Sequence, residues 1–203
     1  MAEPAVQTHA LHQGQPVLSA GAPLDRAQAA MIMLHGRGGA AQDILNVAVH
    51  FQQPAFAYLA PQAAGNTWYP NRFLAPLASN EPWLSSALAA INDVLAEVAA
   101  AGIPPKRTIL MGFSQGACLA LEFAARNLRR YGGVAAFSGG LIGPVGTAWS
   151  FPGSLNGTRV FLGCSDIDDH IPLARVHESA AVMQRLGGEV TERIYPGMGH
   201  LIN

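Results

Sequence analysis

A mostly parallel β-sheet with helices on both faces, the α/β class, is what this sequence predicts, and three features predict it. Short apolar runs bounded by Gly and Pro alternate with stretches whose apolar residues recur at helical spacing. Most runs are apolar throughout rather than alternating, as strands buried on both faces are. One of them, Thr108 to Phe113, passes straight into an Ala-rich helical pattern through Gly112-Phe113-Ser114-Gln115-Gly116.

Taken in order, Val17 to Ala20 is a weak strand and Ala30 to Leu34 the first buried one, ending in His35-Gly36-Arg37-Gly38-Gly39. A helix follows with Ile44, Val47, Ala48 and Phe51 on one side, stopping before Pro54. A strand over Ala55 to Ala60 leads to a loop carrying Trp68, Tyr69, Pro70 and Phe73. The clearest helix runs from Glu81 to Ala101, with Asn80 able to cap it and Pro82 tolerated in its first turn. Its stripe is Leu84, Leu88, Ile91, Leu95 and Val98, and Gly102 ends it. After the Thr108 to Phe113 strand, the helix Gln115 to Asn127 is apolar nearly all round and should be buried. Strands at Gly133 to Phe137, Arg159 to Leu162 and Val190 to Tyr195 complete the sheet, with a helix from Pro172 to Leu186 between the last two.

The 203 residues are read as a single domain, 1–203, with residues 1–15 a loosely ordered leader in which His9 and His12 are solvated. Half the residues are hydrophobic and 12% are charged, and the formal net charge is −1. That gives no electrostatic footprint for nucleic acid. Neither a signal peptide nor an apolar run of membrane-spanning length is read, so no stable membrane insertion and a cytoplasmic location are expected. Cys118 and Cys164 read as small buried thiols, and the low charge points to self-association as a homodimer. No metal is expected, since the 7 histidines and 2 cysteines show no ligand spacing. Gly36-Arg37-Gly38-Gly39-Ala40-Ala41 fits a loose dinucleotide pattern, but positions 54–63 lack the acidic residue that would hold a ribose. No organic cofactor is expected either.

The chemistry begins at Ser114. A Gly-x-Ser-x-Gly between strand and helix is the nucleophile elbow of the α/β-hydrolase fold. In that fold an acid and then a His follow on loops after later strands, and both loops are present. Gly163-Cys164-Ser165-Asp166-Ile167-Asp168-Asp169-His170 offers Asp166, Asp168 and Asp169 as acids, and Pro196-Gly197-Met198-Gly199-His200 offers the base. A Ser hydroxyl needs a neutral imidazole to take its proton, and the imidazole needs a carboxylate to fix its tautomer. The Gln115 and Arg37 backbone N–H groups are expected to form the oxyanion hole. His35 is read as orienting its loop, His170 as lining the site, and His50 and His177 as ordinary helix positions. Trp68, Tyr69, Phe73 and Met198, with Leu141, Ile142, Trp149 and Phe151 nearby, are expected to form an apolar acyl pocket. The stretch 139–156 is too short for a separate cap domain, so an open site is expected.

Leu34-His35-Gly36-Arg37-Gly38, Trp68-Tyr69-Pro70, Gly112-Phe113-Ser114-Gln115-Gly116, Asp168-Asp169-His170-Ile171-Pro172 and Tyr195-Pro196-Gly197-Met198-Gly199-His200 together resemble the phospholipase/carboxylesterase family, which includes the acyl-protein thioesterases. The resemblance implies a serine hydrolase without cofactor and points to Ser114, Asp168 and His200 as its triad. It departs from the family at Asp169, where a Pro is common; a loosened acid loop and a raised Asp168 pKa would follow. The expected function is cleavage of carboxylic esters with short or medium acyl chains through an acyl-enzyme. A thioesterase or lysophospholipase using the same residues is the alternative, and a non-catalytic binding scaffold the rival of another class.

Overall fold

The computed structural model describes residues 10–202. The sheet has strands β1 (Val17–Gly21), β2 (Ala29–Leu34), β3 (Phe56–Pro61), β4 (Thr108–Phe113), β5 (Gly133–Phe137), β6 (Arg159–Ser165) and β7 (Glu189–Tyr195). Their spatial order is β1-β3-β2-β4-β5-β6-β7, and all pairs are parallel except β1 with β3. The order reverses between β2 and β4: the chain leaves β2 toward one edge and from β4 grows toward the other. Such a switch point opens a crevice at the carboxyl ends of the two strands. The register pairs Leu34 with Gly112, so the loop after β2 and the turn after β4 emerge side by side. β6 runs past the expected Leu162 because Cys164 and Ser165 still pair with Ile194 and Tyr195.

Alternation along β2 divides the core. Ala30, Ile32 and Leu34 face the larger layer, which holds α2 (Trp83–Ala100), α3 (Gln115–Arg126) and α4 (Leu173–Arg185). Met31 and Met33 face the smaller layer, covered by the short α1 (Ala41–Leu45) and the 3₁₀ turn Asn46–His50. Helices therefore flank both faces, unequally. α3 is the most deeply buried, with Gly116, Ala117 and Ala120 letting it press on the sheet. It also hides a charge that its apolar pattern conceals: Glu122, buried, bonds Arg126 at 2.7 Å and accepts the Ile142 N–H at 3.1 Å.

The start of α2 differs from expectation. Asn80 does not cap it; buried in a 3₁₀ turn, its amide group accepts the Asn71 N–H and donates to the Arg72 carbonyl. Glu81 lies before the helix and takes the Ser85 N–H instead. α2 is also an apolar run of 18 residues, long enough by length and composition to cross a membrane, contrary to the sequence reading. Its Leu84, Ala87, Ile91, Leu95 and Val98 are packed into the core.

The leader needs a second correction. His12 is buried against Trp68 and Trp83, its Nδ1 accepting the Ala64 N–H and its Nε2 bonded to the Trp68 carbonyl. Residues 1–9, His9 among them, lie outside the described part. His50 and His177 are on the surface, as expected.

Candidate active site

The turn after β4 is built by close approach. A Cβ on Gly112 would fall 2.3 Å from the Gly116 carbonyl, and one on Gly116 would fall 2.2 Å from the Leu34 oxygen. Only Gly at both positions lets α3 start this near β4 and β2. Between them Ser114 is held at φ 54°, ψ −118°, a conformation that costs a non-Gly residue about 1–3 kcal/mol. Its N–H bonds to the Phe137 carbonyl at 2.9 Å, so the neighbouring strand loop stabilises the strained backbone.

His200 Nε2 lies 2.8 Å from Ser114 Oγ, and His200 Nδ1 lies 2.8 Å from Asp168 Oδ2. The Asp168 side chain is fully buried, and its carboxylate can only accept, so Nδ1 carries the proton and Nε2 is left to accept from the hydroxyl. Asp168 Oδ1 also accepts the His170 and Ile171 N–H groups, each at 2.9 Å. Burial pushes this carboxyl up, but the bonds from His200 and from the two amides together outweigh it and hold its pKa below the usual value. The expected upward push from Asp169 is absent, because that side chain points into solvent, 3.7 Å from His170.

Asp166, the other acid on this loop, faces a different task. Its Oδ1 accepts the Gly197 N–H at 2.8 Å, while Ser165 Oγ accepts those of Ile167 and Gly199. Both side chains therefore fix the loop that delivers His200. Sequence reading missed Ser165 altogether, because a strand-end Ser carries no signal of what it will bond across the sheet.

Arg37 and Gln115 come together beside Ser114, and their side chains do more than was read from the sequence. Gln115 is the first residue of α3, so its N–H has no carbonyl one turn earlier. Its side-chain oxygen accepts the Trp68 N–H at 2.9 Å, and its amide nitrogen donates to the Tyr69 carbonyl at 2.8 Å. The Arg37 guanidinium donates to Thr67 Oγ1 and to the Pro70 and Asn71 carbonyls. Two residues flanking Ser114 thus clasp one loop, 67–71. His35 holds its own loop, its Nδ1 donating to the Gly36 carbonyl at 2.8 Å, and also braces the neighbouring one: its Nε2 accepts the Ala63 N–H and its carbonyl accepts the Trp68 indole N–H.

The cleft over Ser114 measures ≈ 290 Å³ and includes Tyr69, Phe73, Phe113, His170 and Ile171 in its lining. Trp68 is not part of it; the indole is wholly buried between His12 and His35. Met198 does not line it either. Leu141 and Ile142 have no exposed surface, because Arg175 draws their segment inward by donating to the Leu141 and Gly143 carbonyls. Trp149 stacks on the same guanidinium and Phe151 packs against the core. Cys118 also reaches the cleft, but burial pushes its thiol up to about 12, too high to rival Ser114 as a nucleophile. Among the described residues no three His, Cys, Asp or Glu side chains gather as a metal site requires.

The phospholipase/carboxylesterase family profile matches residues 17–203. The chain belongs to that family. Its fold is the α/β-hydrolase fold: the phospholipase/carboxylesterase from Dyadobacter fermentans is 43% identical and superposes with a TM-score of 0.90, covering 94% of this chain and 91% of that one. Esterase PE8 is 28% identical with a TM-score of 0.74, covering 93% and 91%. Acyl-protein thioesterase 1 of Gibberella zeae is 33% identical over 101 residues, 49% of this chain and 43% of that protein. The matches to the curated relatives span 37% to 53% of those proteins' lengths.

Proposed function

We propose that this protein hydrolyses carboxylic esters with short or medium acyl chains through an acyl-enzyme on Ser114. The observation that carries the reading is the pair of 2.8 Å contacts joining Ser114 Oγ, His200 and Asp168 under an open cleft. Ser114 Oγ attacks the ester carbonyl carbon as its proton moves to His200 Nε2. The Arg37 and Gln115 backbone N–H groups receive the negative oxygen. Collapse expels the alkoxide, which takes the proton from His200 and leaves as the alcohol. Water then gives its proton to His200 and attacks the acyl carbon, and the carboxylic acid departs as Ser114 recovers its hydrogen. Asp168 holds Nδ1–H throughout and stabilises the imidazolium. A cleft of ≈ 290 Å³ sits at the small end of ligand sites, which favours compact acyl groups.

The likeness to a thioesterase keeps thioesters as the second reading, since a thiolate would leave by the same steps. Two unpaired, buried cysteines suit a reducing compartment such as the cytoplasm. The test is a fluorophosphonate probe with a p-nitrophenyl ester series. An adduct on Ser114, turnover that is lost in Ser114→Ala, and falling activity beyond medium chains are expected. Folded protein that takes no adduct and turns over no ester or thioester would favour a binding scaffold and refute the proposal.

A further inference from the structure

The cleft holds one strong charge that the reaction does not use. The Arg37 guanidinium is committed to three oxygens of the 67–71 loop, and the Asp168 carboxylate is sealed behind His200. Arg72 lines the same cleft as Ser114, yet its guanidinium has no acceptor among the described residues. No acidic side chain lines the cleft to neutralise it; Asp169, next to the lining residue His170, turns to that histidine and to solvent.

The backbone beneath Arg72 is anchored on both sides. Arg37 holds the Pro70 and Asn71 carbonyls, while the fully buried Asn80 takes the Asn71 N–H at 2.8 Å and gives a hydrogen bond to the Arg72 carbonyl. Asn71 in turn donates to the Ser79 carbonyl. A cation with an unpartnered planar fork, on a pinned backbone, in the lining of a cleft with no acidic side chain, is suited to a bidentate anion.

We propose that Arg72 reads an anionic group, a carboxylate or a phosphate, carried by the ester a few bonds from the bond that is cut. This rests on the esterase reading above and narrows its substrate class. Arg72 is then a specificity residue: it binds the far end of the substrate, while Ser114 and His200 act on the carbonyl. Because the guanidinium is exposed, its attraction is screened by salt.

The test compares kcat/KM for two matched pairs: monomethyl adipate against methyl hexanoate, and 3-acetoxypropyl phosphate against propyl acetate. In at least one pair the charged ester is expected to be favoured about tenfold, equivalent to about 1.4 kcal/mol, and the pair that shows it identifies the anion. The preference should shrink in high salt. It should fall to near one in Arg72→Gln, survive in part in Arg72→Lys, and reverse in Arg72→Glu. A wild-type ratio near one in both pairs, or a preference that persists in Arg72→Gln, overturns the proposal. Fluorophosphonate labelling separates the two claims: an adduct on Ser114 without any charge preference removes only the role of Arg72. No adduct and no turnover removes the esterase reading and this inference with it.

Discussion

Asp168→Asn alters a few atoms and should nearly abolish turnover. Asp168 accepts from four groups: the His200 Nδ1–H, the His170 and Ile171 amides, and the Cys164 thiol at 3.6 Å. Asn can keep the two backbone amides on its one oxygen. Its NH₂ group then faces His200 Nδ1, which must accept, so the ring proton moves to Nε2. An Nε2–H cannot take the proton of Ser114. Loss of the correct tautomer in a triad of this geometry costs about 10⁴ in kcat, or about 5.4 kcal/mol of barrier. The fold should survive, because the amide contacts persist. Stopped-flow or steady-state hydrolysis of p-nitrophenyl acetate gives kcat, and a thermal melt reports folding. Asp169→Asn, at an exposed position, serves as the control and should stay within about twofold of wild type. Asp166→Ala, which releases the Gly197 N–H, should show an intermediate loss. If Asp168→Asn keeps a tenth or more of the wild-type kcat, the orienting role given to this carboxylate is wrong.

Gly116→Ala would put its Cβ 2.2 Å from the Leu34 oxygen, so α3 must shift from the sheet; a loss of about 3 kcal/mol or failure to express is expected, and a wild-type urea midpoint would contradict it. Glu122→Ala leaves the buried Ile142 N–H without an acceptor and should cost about 2 kcal/mol by chemical denaturation, whereas an unchanged midpoint would mean the contact is idle. The pH dependence of stability follows from His12 and His35, whose pKa values are lowered chiefly by burial. A depressed histidine is neutral in the folded protein while the unfolded chain binds a proton, so stability is fully present above about pH 6.5 and lost as pH falls through the folded value. The urea midpoint should therefore drop between pH 7 and pH 5, and drop less in His35→Gln; an equal drop in both would exclude His35 as a source.

Much of the fold could be read because parallel strands buried on both faces leave uninterrupted apolar runs. β4 and β5 fall where the sequence places them, and the other strands differ at their ends. Ser114 and His200 were legible because their loops carry Gly at forced positions. Among the three carboxylates on the acid loop, sequence position could not choose; the choice depends on which side chain turns under His200, a matter of loop geometry. The pocket was read less well. Trp68, Leu141 and Ile142 are apolar residues on loops, and nothing local tells a rim residue from a core residue. Their burial is set by distant partners, His12 and His35 for the indole and Arg175 for the 141–143 segment. Glu122 escaped notice and Asn80 was read as a helix cap for the same reason, since each satisfies backbone groups far away in the chain or across a turn.

The clasp made by Arg37 and Gln115 has a consequence for how this enzyme family could change. The residues proposed to offer amides to the oxyanion also grip the 67–71 loop, of which Tyr69 forms part of the cleft wall. Remodelling that wall to admit a new substrate would tug on the amide donors, so selectivity and rate are mechanically geared together. Variation that leaves residues 67–71 intact and alters Arg72 or Phe73 escapes the gearing, and libraries aimed at those two positions should yield altered preference with the least penalty in turnover.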